Sequence, residues 1–247
     1  EAFRSYMLVG GMPEAVSTYA ETGSYRYSSD IVNEIIQGYQ DDFAKYSAKA
    51  NPTLLRQTLI SVAHQAGAKF VYSRVEGEYR SSEVKAALEM LKDAGLIIST
   101  YHTDANGVPL GAEINERVVK YLLHDTGVLL AILGIDDDTD QLIKELMVAD
   151  SIDLVDKGHV AEMLAGLELI KYASPQKRHQ LYYWQNMNKG TCAEVDYVIA
   201  RGGNIVPIEV KSGVKGSMSS MYSLMRNPQK HHRGRHTLFA RKLRLLR

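Results

Sequence analysis

Three residues in the last third of the chain are of types and at spacings that could do chemistry: Asp196, Glu209 and Lys211. They lie in A-E-V-D-Y-V-I-A-R-G-G-N-I-V-P-I-E-V-K-S-G, Ala193 to Gly213. Val195, Tyr197 and Ile199 alternate with Glu194, Asp196 and Val198. Gly202-Gly203 supplies a two-residue turn, and a second strand runs from Ile205 to Lys211, so the stretch predicts a β-hairpin. Counting outward from the glycines sets the register: Arg201 faces Asn204, Ile199 faces Val206, Asp196 faces Glu209 and Glu194 faces Lys211. Asp196 and Glu209 then share a non-hydrogen-bonded rung, where side chains are closest. Like charges directly opposite each other destabilise a hairpin. They are tolerated if a cation sits between them or if one stays protonated. Lys211, two residues beyond Glu209, projects from the same face.

Two carboxylates and one ammonium on one face are the chemistry of a hard-metal site. Mg²⁺ is bound through one or two carboxylates and keeps several waters. A nearby lysine can orient the attacking water while the metal stabilises charge developing on a phosphate. The pattern of Asp, twelve residues, then Glu-x-Lys resembles the PD-(D/E)xK nuclease core, the restriction-endonuclease-like fold. The alternative is an exposed hairpin whose acids are solvated or paired with lysine and arginine neighbours.

The chain that must position these residues has 247 of them, 45% apolar and 23% charged, the balance of a globular protein with room for two or three domains. No apolar run reaches the roughly 18 residues of a membrane span, and no signal-peptide pattern is present. The single cysteine, Cys192, excludes an internal disulfide framework and suits a reducing, cytoplasmic setting. The sequence opens at Glu1 inside what reads as a helix, the beginning expected of a piece of something longer. Basic and acidic residues balance at 29 each, but residues 226–247 hold eight Lys/Arg, three His and no acid, which leaves a net charge of −8 on the rest. An acidic body disfavours a broad nucleic-acid footprint. The basic tail reads as a phosphate contact or a disordered arm.

Residues 1–46 read as a helical segment. Gly10-Gly11 breaks it, Pro13 opens a new helix, and Ile31, Ile35, Tyr39 and Phe43 recur every four residues in an amphipathic helix from about Asp30. No Walker A motif occurs anywhere in the chain. Residues 47–112 predict a winged helix. Pro52 opens one helix, Ser81-Ser82 and Glu83 cap a second with Val84, Ala87, Leu88 and Leu91 on one face, and Gly95 stops it. L-I-I-S-T-Y-H and a strand after the D-A-N-G turn form the wing. The second helix carries a net charge of −1 over residues 83–93, which favours a protein-packing role over reading of DNA. Residues 113–150 are a strand-helix connector, with a buried strand over Val118–Leu123 and Asp125 or Thr126 capping the next helix. His124-Asp125 lacks a serine or cysteine nucleophile beside it and reads as structural. The acidic run at 136–140 lacks the glycine and glutamate of a calcium loop.

From about His159 to Tyr172 a helix is apolar nearly all round, the signature of burial between layers. Glu162 in its first turn is a partly buried acid and needs a partner. It is either a third acid of the metal site or a charge favoured by the helix N-terminus. L-Y-Y-W-Q then gives a strand leading into the hairpin.

L-V-G-G-M-P-E-A-V, K-Y-L-L-H-D-T-G, the Glu162 helix, Y-Y-W, A-E-V-D-Y-V-I and I-V-P-I-E-V-K-S-G follow one another in this order. In that combination residues 1–225 resemble the prokaryotic AAA-type ATPases with a C-terminal domain of unknown function that looks like a PD-(D/E)xK nuclease. The resemblance implies an α+β, multi-domain fragment that follows an absent ATPase core. Its parts are the helical segment 1–46, the winged helix 47–112, the connector 113–150, a nuclease-like α/β domain at 151–225 and the basic tail 226–247. The resemblance also implies that Glu162, Asp196 and Glu209 hold Mg²⁺ or Mn²⁺ and that Lys211 completes the catalytic set. ATP would enter only through the missing N-terminal domain. DNA and that ATPase domain are the expected partners, in an oligomer without membrane attachment. The alternative is a non-catalytic docking or DNA-binding module with a degenerate nuclease fold. The tail departs from the family's expected further α/β structure.

Overall fold

The computed structural model describes residues 2–46, 50–134, 157–173, 180–186, 193–211, 218–226 and 241–244. Two compact units emerge, residues 1–98 with 121–164, and residues 99–120 with 165–247. The chain is α+β, as the sequence predicts. Among the described residues no helix is long and apolar enough to cross a membrane. The acidic run at 136–140, Cys192 and the tail apart from Arg226 and residues 241–244 lie outside the described residues.

The first unit is largely helical. Helix α1 (Ala2–Val9) stops at Gly10, whose φ of +79° suits glycine. Helix α2 (Pro13–Thr22) opens on the expected proline. Helix α3 (Tyr25–Phe43) starts five residues before the expected Asp30, because Ser24 caps it and accepts from the Tyr27 N–H. Its fully buried positions are Ser28, Val32, Ile36 and Phe43, so the stripe centres one residue beyond Ile31 and Ile35, which are half-buried. Helix α4 (Pro52–His64) is capped by Asn51. Helix α5 (Ser81–Asp93) is held at its start by Glu83, which accepts from the Arg80 N–H at 2.8 Å, and it buries Val84, Ala87, Leu88 and Leu91 as predicted.

His124 and Asp125 are structural, as read from the sequence. The Asp125 carboxylate caps helix α6 (Thr126–Ile132) through the Val128 N–H at 3.1 Å, and its other oxygen accepts from the Gly11 N–H at 2.6 Å. The glycine pair thus serves as a close backbone approach to a buried carboxylate. His124 Nδ1 donates to the Leu96 carbonyl at 3.0 Å, and its Nε2 meets the Tyr39 hydroxyl at 3.3 Å.

Strands β1 (Ile97–Thr103) and β2 (Ile114–Leu123) and helix α7 (Lys157–Lys171) each contribute residues to both units. The hairpin predicted as a wing forms, with a longer turn than D-A-N-G. Its loop, residues 104–113, is not a free tip. Thr103 Oγ1 donates to the Leu110 carbonyl and accepts from the Ala105 N–H, and Ala105 and Leu110 are buried in the core of the second unit with Trp184, Val195, Val198, Ile205, Met221 and Leu224. A loop bearing an alanine and a leucine that can be removed from water is recruited into a core rather than left solvated.

In the second unit β1 also pairs in parallel with β3 (Leu181–Gln185), in the register Thr100–Leu181 and His102–Tyr183. Strand β3 in turn pairs antiparallel with β4 (Glu194–Val195), giving a sheet ordered β2-β1-β3-β4. A second sheet is ordered β5-β6-β7, from β5 (Tyr197–Arg201), β6 (Asn204–Lys211) and β7 (Arg241–Arg244). Helix α8 (Ser219–Met225) adds Met221 and Leu224 to the core. Strand β7 corrects the reading of the tail as a basic arm over its whole length: main-chain pairing with β6, from Ile208–Arg241 to Lys211–Arg244, takes up residues 241–244. Backbone pairing of this kind does not need apolar periodicity, which is why the tail's composition hid it. Pro207 fits the middle of the hairpin because it sits on a non-hydrogen-bonded rung opposite Val198, and β7 is first paired one residue later, at Ile208.

Candidate functional site

The hairpin register counted from Gly202-Gly203 holds rung by rung from Arg201–Asn204 to Tyr197–Ile208. At Asp196 the chain bends. Strand β4 leaves the hairpin and pairs with β3 instead, Val195 with Trp184 and Glu194 with Gln185. The expected facing of Glu194 and Lys211 therefore does not occur. The physical reason is a change of sheet at a bend, which buries Val195 completely in the apolar core.

The bend leaves a polar vacancy on β6. On the next hydrogen-bonded rung the Val210 N–H would have bonded to the Val195 carbonyl. Asp196 fills that role with its side chain, and its Oδ2 accepts from the Val210 N–H at 2.6 Å. One carboxylate oxygen of the pair is thus committed to the backbone. The paired rungs themselves end at Tyr197–Ile208, so the expected Asp196–Glu209 rung is not formed as a ladder pair, although the Glu209 charge still acts on Asp196.

Glu209 is buried, with 4% of its surface exposed. Its Oε1 accepts from Lys211 Nζ at 2.5 Å, whereas its Oε2 is buried and has no hydrogen-bond partner among the described residues. A bare buried carboxylate oxygen is costly, and it is the feature of the site that most calls for a cation. Burial pushes the Asp196 carboxyl up from 3.8 to about 6. The neighbouring Glu209 charge adds to the rise, while the Val210 N–H and the ammoniums of Lys120 and Lys211 oppose it. The structure thus brings Asp196, Glu209 and Lys211 together in one unit, as the sequence predicts.

Glu162 stands in the first unit, on the α7 segment that is buried from Val160 to Leu167, as the all-round apolar pattern predicts. It is 7% exposed. With His159 it closes on Gly67, whose φ is +73° and where a Cβ would overlap the His159 ring. Among the described residues, no group of three His, Cys, Asp or Glu side chains is placed to hold a metal ion. The two-carboxylate set of Asp196 and Glu209 suits Mg²⁺, which takes few protein ligands and keeps its waters.

Sequence reasoning missed Lys120. Its side chain is 1% exposed, and its Nζ contacts Glu194 Oε1 at 2.5 Å and lies 4.9 Å from the centroid of the Tyr183 ring. The signal was present in R-V-V-K-Y-L-L: a lysine inside a run that reads as a buried strand must find a partner. With it the second unit gathers three carboxylates, Glu194, Asp196 and Glu209, and two ammoniums, Lys120 and Lys211.

A family model described as "Domain of unknown function (DUF8612)" matches residues 1–139, and a second, "Domain of unknown function (DUF4143)", matches residues 157–243. The expectation of a domain of unknown function at the C-terminal side is met by the second match. That match reaches residue 243, so most of the basic tail belongs to the same family region. No curated protein and no solved structure matches the chain.

Proposed function

Since the chain belongs to the DUF8612 family and carries a DUF4143 region beside it, we propose that it is the C-terminal region of a cytoplasmic AAA-type ATPase whose DUF4143 part is a magnesium-dependent, nuclease-like module acting on DNA. The observation that carries this reading is the buried Glu209 Oε2, which has no hydrogen-bond partner among the described residues, in a site that also holds Asp196 and Lys211. Asp196 and Glu209 would hold the metal, which when bound supplies Lewis-acid stabilisation of charge on a phosphodiester. Lys211 binds and orients the attacking water, and the resemblance assigns Glu162 a share in positioning. Asp196 would offer its other oxygen for this work, since Oδ2 holds β6 through Val210. Helices α4 and α5 with strands β1 and β2 make up the winged helix of this reading.

A second reading, a degenerate module that docks a partner or the ATPase core, draws on one observation. Asp196 Oδ2 and Lys211 Nζ are both already engaged inside the protein. Calorimetric titration with Mg²⁺ and Mn²⁺ separates the two. The nuclease reading expects binding that Asp196→Ala and Glu209→Ala each abolish, together with metal-dependent cleavage of DNA. A folded chain that binds neither ion overturns it in favour of docking.

A further inference from the structure

The residues that fix the acid pair extend beyond the DUF4143 region. Lys120 belongs to β2, within the stretch matched by DUF8612. Its ammonium is held by Glu194 and by the face of Tyr183. Tyr183 is itself fully buried, stacks edge-on against His102 at 5.6 Å between ring centroids, and donates to the Val118 carbonyl. His102 Nε2 donates to the Gln185 carbonyl at 3.1 Å, and Gln185 is the residue paired with Glu194. The contacts close on themselves: Lys120, Tyr183, His102, Gln185, Glu194 and back to Lys120. Each member is held by its neighbours, so the Glu194–Gln185 rung is locked from both sides.

We infer that Lys120 is a positioning residue of the acid site, acting through Glu194 to keep β4 on β3 and thereby leaving the Val210 N–H for Asp196. If Glu194 were released, β4 could return to the continuous hairpin. The Val195 carbonyl would then reclaim the Val210 N–H, and Asp196 would lose the bond that aims its carboxylate. An ammonium buried to 1% exposure does not stay in place without its counter-charge, so Lys120 and Glu194 hold each other. In its functional half this inference rests on reading Asp196 and Glu209 as the metal-holding pair; in its structural half it does not.

The test follows the Val210 amide by NMR in the full chain, together with Mg²⁺ titration. Lys120→Met is expected to speed hydrogen exchange at Val210 at least tenfold and to shift its proton upfield. The Ile208 amide, on the intact rung with Tyr197, keeps its protection. Lys120→Arg restores most of the Val210 protection, and Glu194→Gln, a change at a partly exposed residue, gives an intermediate loss. If Lys120→Met does not fold, Glu194→Gln decides alone. Mg²⁺ affinity should fall at least tenfold with the loss of Val210 protection. Unchanged Val210 exchange, or equal acceleration at Val210 and Ile208, overturns the positioning role. A wild-type chain that binds no divalent ion counts against the nuclease reading only, since the Val210 measurement still judges Lys120.

Discussion

Replacing Asp196 with asparagine should make the protein more stable at neutral pH while removing its metal site. The ordinary carboxyl value of 3.8 rises to about 6 in the folded chain, so between these values the folded state holds a proton that the unfolded chain has released. Stability therefore falls as pH rises from about 4 towards 6 and levels off above 7. At 1.36 kcal/mol per pKa unit, the ionised Asp196 costs on the order of 3 kcal/mol at pH 8, an upper figure because the side chain keeps some contact with water. Asparagine removes that cost and keeps a carbonyl oxygen for the Val210 N–H. Its amide NH₂ supplies a donor beside Glu209 in place of a second negative charge, and it leaves two carboxylates with two ammoniums. Trp184, the only tryptophan and 3% exposed in the core of the second unit, reports unfolding of that unit in urea. Asp196→Asn should raise the unfolding free energy by on the order of 3 kcal/mol at pH 8 and by well under 1 at pH 4. A variant less stable than wild type at pH 8, or one with the same gain at both pH values, would refute the argument that burial of an ionised carboxylate raises the Asp196 pKa.

Lys211→Met should cost about 3–5 kcal/mol in the same Trp184 transition, because it leaves the buried Glu209 charge without its ammonium; a loss under 1 kcal/mol would mean that Glu209 is held by other groups. Leu110→Ala should cost about 2–5 kcal/mol, as expected for a leucine in a packed core. A change within about 0.5 kcal/mol, usual for a surface loop, would instead restore the picture of a free wing tip.

Much of the architecture was legible because it rests on local rules. Pro13 and Pro52 open helices, Gly10 and Gly95 end elements at positive φ, and Asp125 caps α6. The run from Val160 to Leu167 is buried as its composition required. What escaped depends on partners far along the chain. The parallel pairing of β1 with β3 leaves no mark in either strand's own pattern, since I-I-S-T-Y-H-T and L-Y-Y-W-Q are short buried runs that would suit an antiparallel neighbour as well. Ala105 and Leu110 occupy a stretch whose turn chemistry marks a solvated loop, and only the apolar surface supplied by Trp184, Val198 and Leu224 draws them inside. Lys120 was visible as an anomaly, yet Glu194, its partner 74 residues away, was not.

The hairpin shows most clearly where counting stops being sufficient. Register follows from the turn only while two strands have no better neighbours, and at Asp196 a third strand competes. Leaving β6 costs β4 its rung with Val210, but pairing with Trp184 and Gln185 replaces those main-chain bonds, and the Asp196 carboxylate takes the stranded N–H. The exchange is therefore close to neutral in hydrogen bonds. What tips it is apolar: Val195 goes from one face of a hairpin to complete burial beside Trp184, a gain of about 1.5–3 kcal/mol for a side chain of that size. The same switch turns Glu194 towards Lys120 and aims Asp196 across the strands. On this argument the acid pair owes its geometry to the burial of a valine, and weakening that burial with Val195→Ala should disturb Asp196 and the Val210 amide before it disturbs the rungs from Tyr197 to the turn.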